Sequence, residues 1–301
     1  MKMEGLKNLP EAPISLLSTL VNKTGSWRNI KPVFVEKTAP CIDACPSHIL
    51  IPHYIDRILR GTIDEAAEIL LKDNPFPSIT GRVCPHFCEG KCNRGEYDDS
   101  VSIREIERYL GDYIVNKKWK DSLKEQQNAK KIAIVGSGPA GLSCAHFLRN
   151  FGYKVIVFEK EDEPGGVLRY GIPEYRLPKV IVKKEIDALL REGIEIRTGT
   201  TLGKDISLDD LEANYDAVFL GTGAILERKM NIPGEEYLIE GLNFLKEVSL
   251  GKIPDVKGKY GVIGGGNVAM DVARTLLRLG AEVYILYRRT ENEMPAITEE
   301  I

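Results

Sequence analysis

Residues 131–160, KIAIVGSGPAGLSCAHFLRNFGYKVIVFEK, restrict the fold of this chain more than any other stretch. A short apolar run (132–135) leads into a glycine turn, an amphipathic segment and a second apolar run (155–158) ending in Glu159 and Lys160. That order predicts strand, turn, helix, strand. Gly136, Gly138 and Gly141 fit G-x-G-x-x-G, with Ser137, Pro139 and Ala140 between them. The first glycine permits the tight turn, the second admits a pyrophosphate at the helix N-terminus, and the third lets helix pack closely on strand. Glu159 stands about 20 residues on, where a carboxylate accepts from ribose hydroxyls and repels a 2′-phosphate. The alternative is a glycine-rich turn with no ligand; its place between a predicted strand and helix favours a dinucleotide.

The pattern returns in YGVIGGGNVAMDVARTLLRLGAEVYILYRR. Here Gly264, Gly266 and Ala269 fit G-x-G-x-x-A, with Gly265, Asn267 and Val268 in the same turn. The second strand ends in Tyr287-Arg288-Arg289 instead of an acid. Guanidinium forks favour a phosphate dianion, so this site reads as one for NADP over NAD; the alternative is a solvated arginine pair. Between the repeats, a helix is expected over 179–191 and strands over 194–198 and 216–220. Gly165-Gly166 and Gly221-Thr222-Gly223 suit backbone passing close to a ligand. Cys144 and Met270, early in the two glycine-turn helices, read as core packing.

Five of the six cysteines lie between Cys41 and Cys92. Cys45 and Cys84 each precede a proline, which bends the chain and helps to turn thiolates toward one centre. Three readings stay open on these residues: an iron–sulfur cluster, zinc, or reduced structural thiols. The neighbouring dinucleotide fold favours the first, because zinc does no redox chemistry. His48, His53 and His86 read as ordinary surface or helix residues. Helices are expected over 51–60 and 63–73, and a third from 103, capped by Ser102 with Glu105 as its box partner. Its apolar face is Ile103, Ile106, Leu110 and Tyr113, and by itself Glu107 reads as a solvated charge. Residues 1–40 look like an extended arm with one short helix, in which Trp27-Arg28 is a docking contact, and 116–129 reads as a linker.

A net charge of −3 gives no reason to expect nucleic acid or an anionic membrane as partner. No apolar run approaches the ~20 residues of a membrane span, and a cytoplasmic location is expected.

Taken in order, CIDACP, GRVCPHFCEGKCNRG, GSGPAG, GGVLRYGIPEYRLPK, GTG, GGGNVAMD and YRRTENEMPA resemble the small subunit of NADPH-dependent glutamate synthase and its relatives. Those relatives include the N-terminal part of dihydropyrimidine dehydrogenase and the flavoprotein subunits of ferredoxin:NADP and sulfur-metabolism reductases. The resemblance runs from about residue 24 to the end. It implies an α/β chain: an arm (1–37), an all-α [4Fe-4S] domain (38–115), a linker (116–129) and two Rossmann-like domains. The first of these (130–228) would take FAD and the second (229–301) NADPH, both incomplete. Motif by motif it places FAD also on Gly166, Val167, Leu168, Arg176 and the Gly221–Gly223 turn. It puts Cys45, Cys84 and Cys88 on one cluster, with Glu107 at that cluster's non-cysteine ligand. Cys41 and Cys92 match a second cluster whose other cysteine pair is absent, VFVEKTAP standing in its place. They are then spare thiols, or one replaces Glu107. The family's nucleotide domain also continues past EMPA, so the chain reads as a piece, or as one completed by another polypeptide.

The expected activity is electron input: NADPH gives hydride to FAD, and electrons leave singly through [4Fe-4S] to a larger partner subunit or a ferredoxin-like protein. No side chain is required as acid or base in the hydride step, so the sites expected are binding sites. A thioredoxin-reductase-like activity would need a C-x-x-C beside the flavin or in the second domain, and none occurs. A scaffold that binds cluster and nucleotide without turnover, and a zinc-stapled nucleotide module, are the alternatives.

Overall fold

The structure, a computed structural model, describes residues 37–117, 130–224, 230–252 and 255–301. The arm with Trp27-Arg28 and nearly all of the linker fall outside the described residues.

The N-terminal part is helical: α1 (Pro40–Ala44), α2 (Ile51–Leu59), α3 (Ile63–Leu71), α4 (Pro77–Val83) and α5 (Ile103–Lys117). Prolines occupy the first turn of α1, α2 and α4, where the missing amide hydrogen would have had no helical partner. Gly61, at φ 77°, turns the chain out of α2. Tyr54 of α2, Ala66 and Leu70 of α3, and Ile103 and Leu110 of α5 close on one core that also contains Cys88. Helices α2 and α3 end one and two residues short of the expected bounds. The start of α5 also departs from expectation. Glu105 pairs with Arg104 and Arg108, and Glu89, from outside the helix, accepts the Arg104 amide at 2.8 Å.

Next come β1 (Lys131–Val135), α6 (Pro139–Asn150), β2 (Lys154–Phe158), α7 (Val167–Tyr170), α8 (Lys179–Arg191), β3 (Glu195–Arg197), α9 (Leu208–Asn214) and β4 (Ala217–Leu220). The strands pair in parallel in the order β3-β2-β1-β4, with Ile134 opposite Val157 and Phe219. Both faces of β1 and β2 are covered, which is why these strands read as unbroken apolar runs. Ile132, Ile134, Val155 and Val157 meet α6 and α8, while Ala133, Val135, Ile156 and Phe158 meet Leu211 of α9. Phe76 and Ile79, around α4, belong to the first of these cores. The packing thus crosses the expected boundary between cluster and flavin domains.

The last unit holds α10 (Gly241–Ser249), β5 (Lys259–Ile263), α11 (Asn267–Arg278) and β6 (Glu282–Leu286). β5 and β6 pair in parallel as a sheet of their own, and Val262 packs with Leu245, Val272 and Leu276. Ile263, Tyr284, Ile285 and Leu286 are exposed.

Candidate cofactor sites

Three loops separated in sequence meet at the first glycine turn. A methyl group at Gly136 (φ 99°) would run into the Gly221 carbonyl, and one at Gly141 into the Gly136 carbonyl. A Cβ on Gly166 would lie 2.7 Å from the Gly138 Cα. Gly138 itself has nothing within 4 Å of a Cβ position. It is the N-cap of α6 and supplies no side-chain cap, so the first helical amides keep their donors for an anion from outside. A close-packed backbone cradle, open at one glycine over an uncapped helix, fits a pyrophosphate.

Glu159, at the end of β2, is buried and held by the chain itself. Its Oε2 accepts from the Ser137 amide (2.8 Å) and hydroxyl (2.5 Å), and its Oε1 accepts from the Glu161 amide (2.9 Å). The carboxylate therefore braces the glycine turn, and its remaining lone pairs are what a ribose would use. Lys160 is about half exposed and lies 3.9 Å from Glu161. Val167 is exposed at the start of α7, whereas Leu168 is in the core. The Leu168 carbonyl and that of Ile172 take the Lys179 ammonium, whose burial lowers it to about 8. Thr222 and Gly223 are exposed beside Gly221.

Arg176 is placed elsewhere than at the glycine turn. Its guanidinium donates to Asp271 Oδ2 of α11 (2.7 Å) and lies 2.9 Å from Glu300. Tyr175 donates to the Asp271 carbonyl (3.3 Å) and its ring lies under Arg274 and Arg278. These two side chains clamp the first nucleotide unit to the second.

The second turn repeats the first in looser form. Gly264 (φ 136°) approaches only Ala269 Cβ, at 3.3 Å from a Cβ position. Gly266 is the uncapped N-cap of α11, again with open space around it. The chain after β6 folds back over the turn: the Tyr287 ring covers Gly265, the Ala296 amide donates to the Gly265 carbonyl, and Asn267 Oδ1 accepts the Ile297 amide. Val268 is exposed, Ala269 packs on the core, and Arg288 and Arg289 are exposed with no carboxylate paired to either among the described residues. Cys144 packs against the first core and Met270 is buried, as expected.

All six cysteines are free. Cys45 ends α1 and Cys84 ends α4, both in extended backbone, while Cys88 and Cys92 flank the turn Glu89–Lys91. After each Cys-Pro the chain passes through a left-handed histidine, His48 (φ 49°) and His86 (φ 46°). The His86 amide thereby points at Cys84 Sγ, 3.4 Å away. Cys84 and Cys88 interact electrostatically with Cys45 and Glu107, and Cys41 with Cys92 and Cys45. Burial, then the Glu107 charge, pushes the Cys88 thiol up to about 12. Burial likewise raises Glu107 to about 7, against the hydrogen bond (3.3 Å) that Tyr54 donates to it. Glu107 is thus a buried carboxylate rather than a solvated charge. Cys88 and Glu107 are acids raised by burial, and such an environment is one that a polycationic centre relieves, since coordination removes thiol protons outright. Among the described residues no three His, Cys, Asp or Glu gather tightly enough for a single metal ion. His53 is exposed, and His86 hydrogen-bonds the Cys84 carbonyl and meets Arg104.

Sequence reasoning missed Tyr54, the Ser137–Glu159 brace, and Asp271 with Tyr175. None carries a spacing signal, because each partner comes from a distant element.

The family model for pyridine nucleotide-disulphide oxidoreductases matches residues 130–301, and that for dihydropyrimidine dehydrogenase domain II, 4Fe-4S cluster, matches 34–119. The chain is 43% identical to the NADPH-Fe(3+) oxidoreductase subunit beta of Geobacter sulfurreducens, over 89% of this chain and 41% of that protein. It is 40% identical to the NADP(+)-dependent formate dehydrogenase subunit beta of Moorella thermoacetica (88% and 41%). Against the glutamate synthase [NADPH] small chain of Escherichia coli the identity is 37% (87% and 59%). The chain thus spans less than two thirds of the length of each. Among solved structures, Mycobacterium tuberculosis FprA in complex with NADPH superimposes with a TM-score of 0.51 at 27% identity, over 57% of this chain and 46% of that one.

Proposed function

The chain belongs to the pyridine nucleotide-disulphide oxidoreductase family, and from that premise we propose that it is the electron-input part of a larger oxidoreductase, taking reducing equivalents from NADPH and delivering them to a partner. One observation carries this reading. An uncapped, glycine-turned helix occurs twice, in a chain that also gathers thiols around a buried carboxylate. When bound, FAD converts a two-electron hydride into single electrons and the [4Fe-4S] cluster carries them singly.

The rest is the work of this chain's side chains. Gly136, Ser137, Gly138, Gly141, Gly166 and Gly221 form the FAD cradle, and Glu159 holds its turn rigid. Gly264, Gly266 and the α11 N-terminus take the NADPH pyrophosphate, and Arg288 and Arg289 recognise its 2′-phosphate. Arg176 and Tyr175 hold the two nucleotide units in register. Cys45, Cys84, Cys88 and Glu107 ligate the cluster, with Tyr54 orienting the carboxylate; the His86 amide, by donating to Cys84, raises its potential. Cys41 and Cys92 stand beside this set as spare thiols.

The partner is a larger electron-accepting subunit or a ferredoxin-like protein. The relatives' names couple NADP(H) to Fe(3+), formate and glutamate synthase, so the acceptor is where such proteins diverge. Among the described residues no helix is long and apolar enough to cross a membrane. A second reading, a module that binds cofactors without turnover, is favoured by the exposed apolar side chains of β5 and β6. An anaerobic absorbance spectrum before and after NADPH, with iron and flavin counted on the same sample, separates the two. Flavin bands over an iron–sulfur shoulder that bleach with NADPH support electron input. Cofactors that do not bleach favour the second reading, and zinc without iron sinks both.

A further inference from the structure

Helix α4 belongs to two parts of the molecule at once. Its C-terminal neighbour is Cys84, yet Phe76 and Ile79 pack in the same core as Ile134, Leu142, Val182 and Ile186. The polar tie at this junction is Glu185 of α8, only 2% exposed, whose Oε1 accepts the Ser78 amide at 2.7 Å. Ser78 donates its hydroxyl to Asp112 of α5 (2.5 Å), and Arg82 grips both carboxylate oxygens of Asp112 (2.8 Å each) and the Ser78 carbonyl (2.7 Å). Nearer the surface, Lys184 donates to Asn116 of α5 at 2.8 Å.

Helices α4 and α5 are closely packed and hydrogen-bonded to each other. A Cβ on Gly111 would strike the Ser78 amide, and one on Gly81 would lie 2.5 Å from the Arg108 backbone. α5 carries Glu107, so whatever holds α4 fixes two of the proposed cluster ligands. Burial pushes the Glu185 carboxyl up to about 8, a cost that an apolar contact would not carry.

We propose that Glu185 is a positioning residue for electron transfer: by holding Ser78 from α8 it fixes the cluster-bearing helices on the flavin-side unit and sets the gap that electrons cross. The proposal rests on the electron-input reading above. Electron transfer between centres falls steeply with distance, so loosening this joint slows that step without touching hydride delivery.

The test uses the full chain loaded with flavin and iron, in Glu185→Met, which fills the space without an acceptor, and Glu185→Asp, which shortens its reach. Glu185→Gln, which keeps the acceptor, is the rescue. Flavin and iron–sulfur absorbance are followed separately after anaerobic mixing with NADPH, and amide hydrogen exchange is read at Ser78 and Ile79. In the Met and Asp variants exchange should quicken about tenfold and cluster reduction should slow about tenfold, with flavin reduction within about twofold of the parent and Gln near it on all counts. If one of the two variants does not accumulate, the other carries the test. An unchanged cluster step despite faster exchange would overturn the proposal, as would equal slowing of both steps. A parent protein without flavin or without iron would sink the electron-input reading and this proposal together. Cofactors present with an unaltered cluster step sink this proposal alone.

Discussion

The two glycine turns are nearly the same sentence in sequence and differ in how the fold supports them. The first is locked: its first and third glycines leave no room for a methyl, and Glu159 braces it through the Ser137 and Glu161 amides. The second is looser: Ala269 stands at its third position, its first glycine meets only the Ala269 Cβ, and its strands are largely exposed. The first lies in a four-stranded sheet whose strands β1 and β2 are covered on both faces, the second in a two-stranded one. A fingerprint thus specifies where a phosphate goes, but the surrounding layers decide how rigidly the site is held. Rigidity suits a resident cofactor, and looseness suits a nucleotide that comes and goes.

The largest effect should come from moving the second turn's alanine into the first. Gly141→Ala drives a methyl into the Gly136 carbonyl, and a loss of about 3 kcal/mol or more is expected, against less than about 1 kcal/mol for Ala269→Gly. Denaturant midpoints of the two variants measure it, and equal losses would remove the contrast. Next comes the clamp. Asp271→Asn breaks a buried pair with Arg176 at an expected cost of about 3 kcal/mol. Limited proteolysis of 230–252 should accelerate in that variant, and unchanged cleavage would mean that the units are held otherwise.

Smaller, and confined to the second site, is nucleotide choice. Arg288→Ala with Arg289→Ala should weaken NADPH about 10- to 100-fold and NADH hardly at all. Equal losses in titrations with both nucleotides would withdraw the NADP assignment.

A last prediction concerns pH and the joint behind the first site. Glu185 has a folded value of about 8, above the ordinary 4.5. Its protonated form is favoured by folding, so that contribution is full below about 4.5 and is lost as pH rises toward 8. Asp112 and Arg82 face the same junction, so the informative quantity is the difference from Glu185→Gln. That difference should change by no more than about 1.4 kcal/mol per pH unit, the slope of one proton. Parallel stability curves from pH 5 to 8 would show that Glu185 does not titrate there.

Much of this was legible beforehand, and for a local reason. Strand, glycine turn and helix are set by residues within one β-α-β unit, so both turns, and the helix Lys179–Arg191, lie where periodicity put them. Local chemistry was also enough to mark the cysteines as a group. It failed for Glu107, which spacing alone assigns to solvent and the fold buries under Tyr54 of α2. It failed for the cap of α5, where Glu89 from a preceding turn displaces the expected partner. Arg176 shows the same limit, its partners Asp271 and Glu300 lying 95 and 124 residues away.

By itself, then, the sequence determined the two nucleotide turns, their order, the arginine pair that distinguishes them and the thiol-rich helical segment, because each is written within a few turns of backbone. Only the tertiary structure decided that α4 is shared between cluster and flavin sides, that Glu185 and Asp112 meet at Ser78, and that Arg176 clamps the units together. Those contacts depend on which helix faces cross in space. A buried carboxylate and its partner amide, 107 residues apart, leave no periodic trace along the chain.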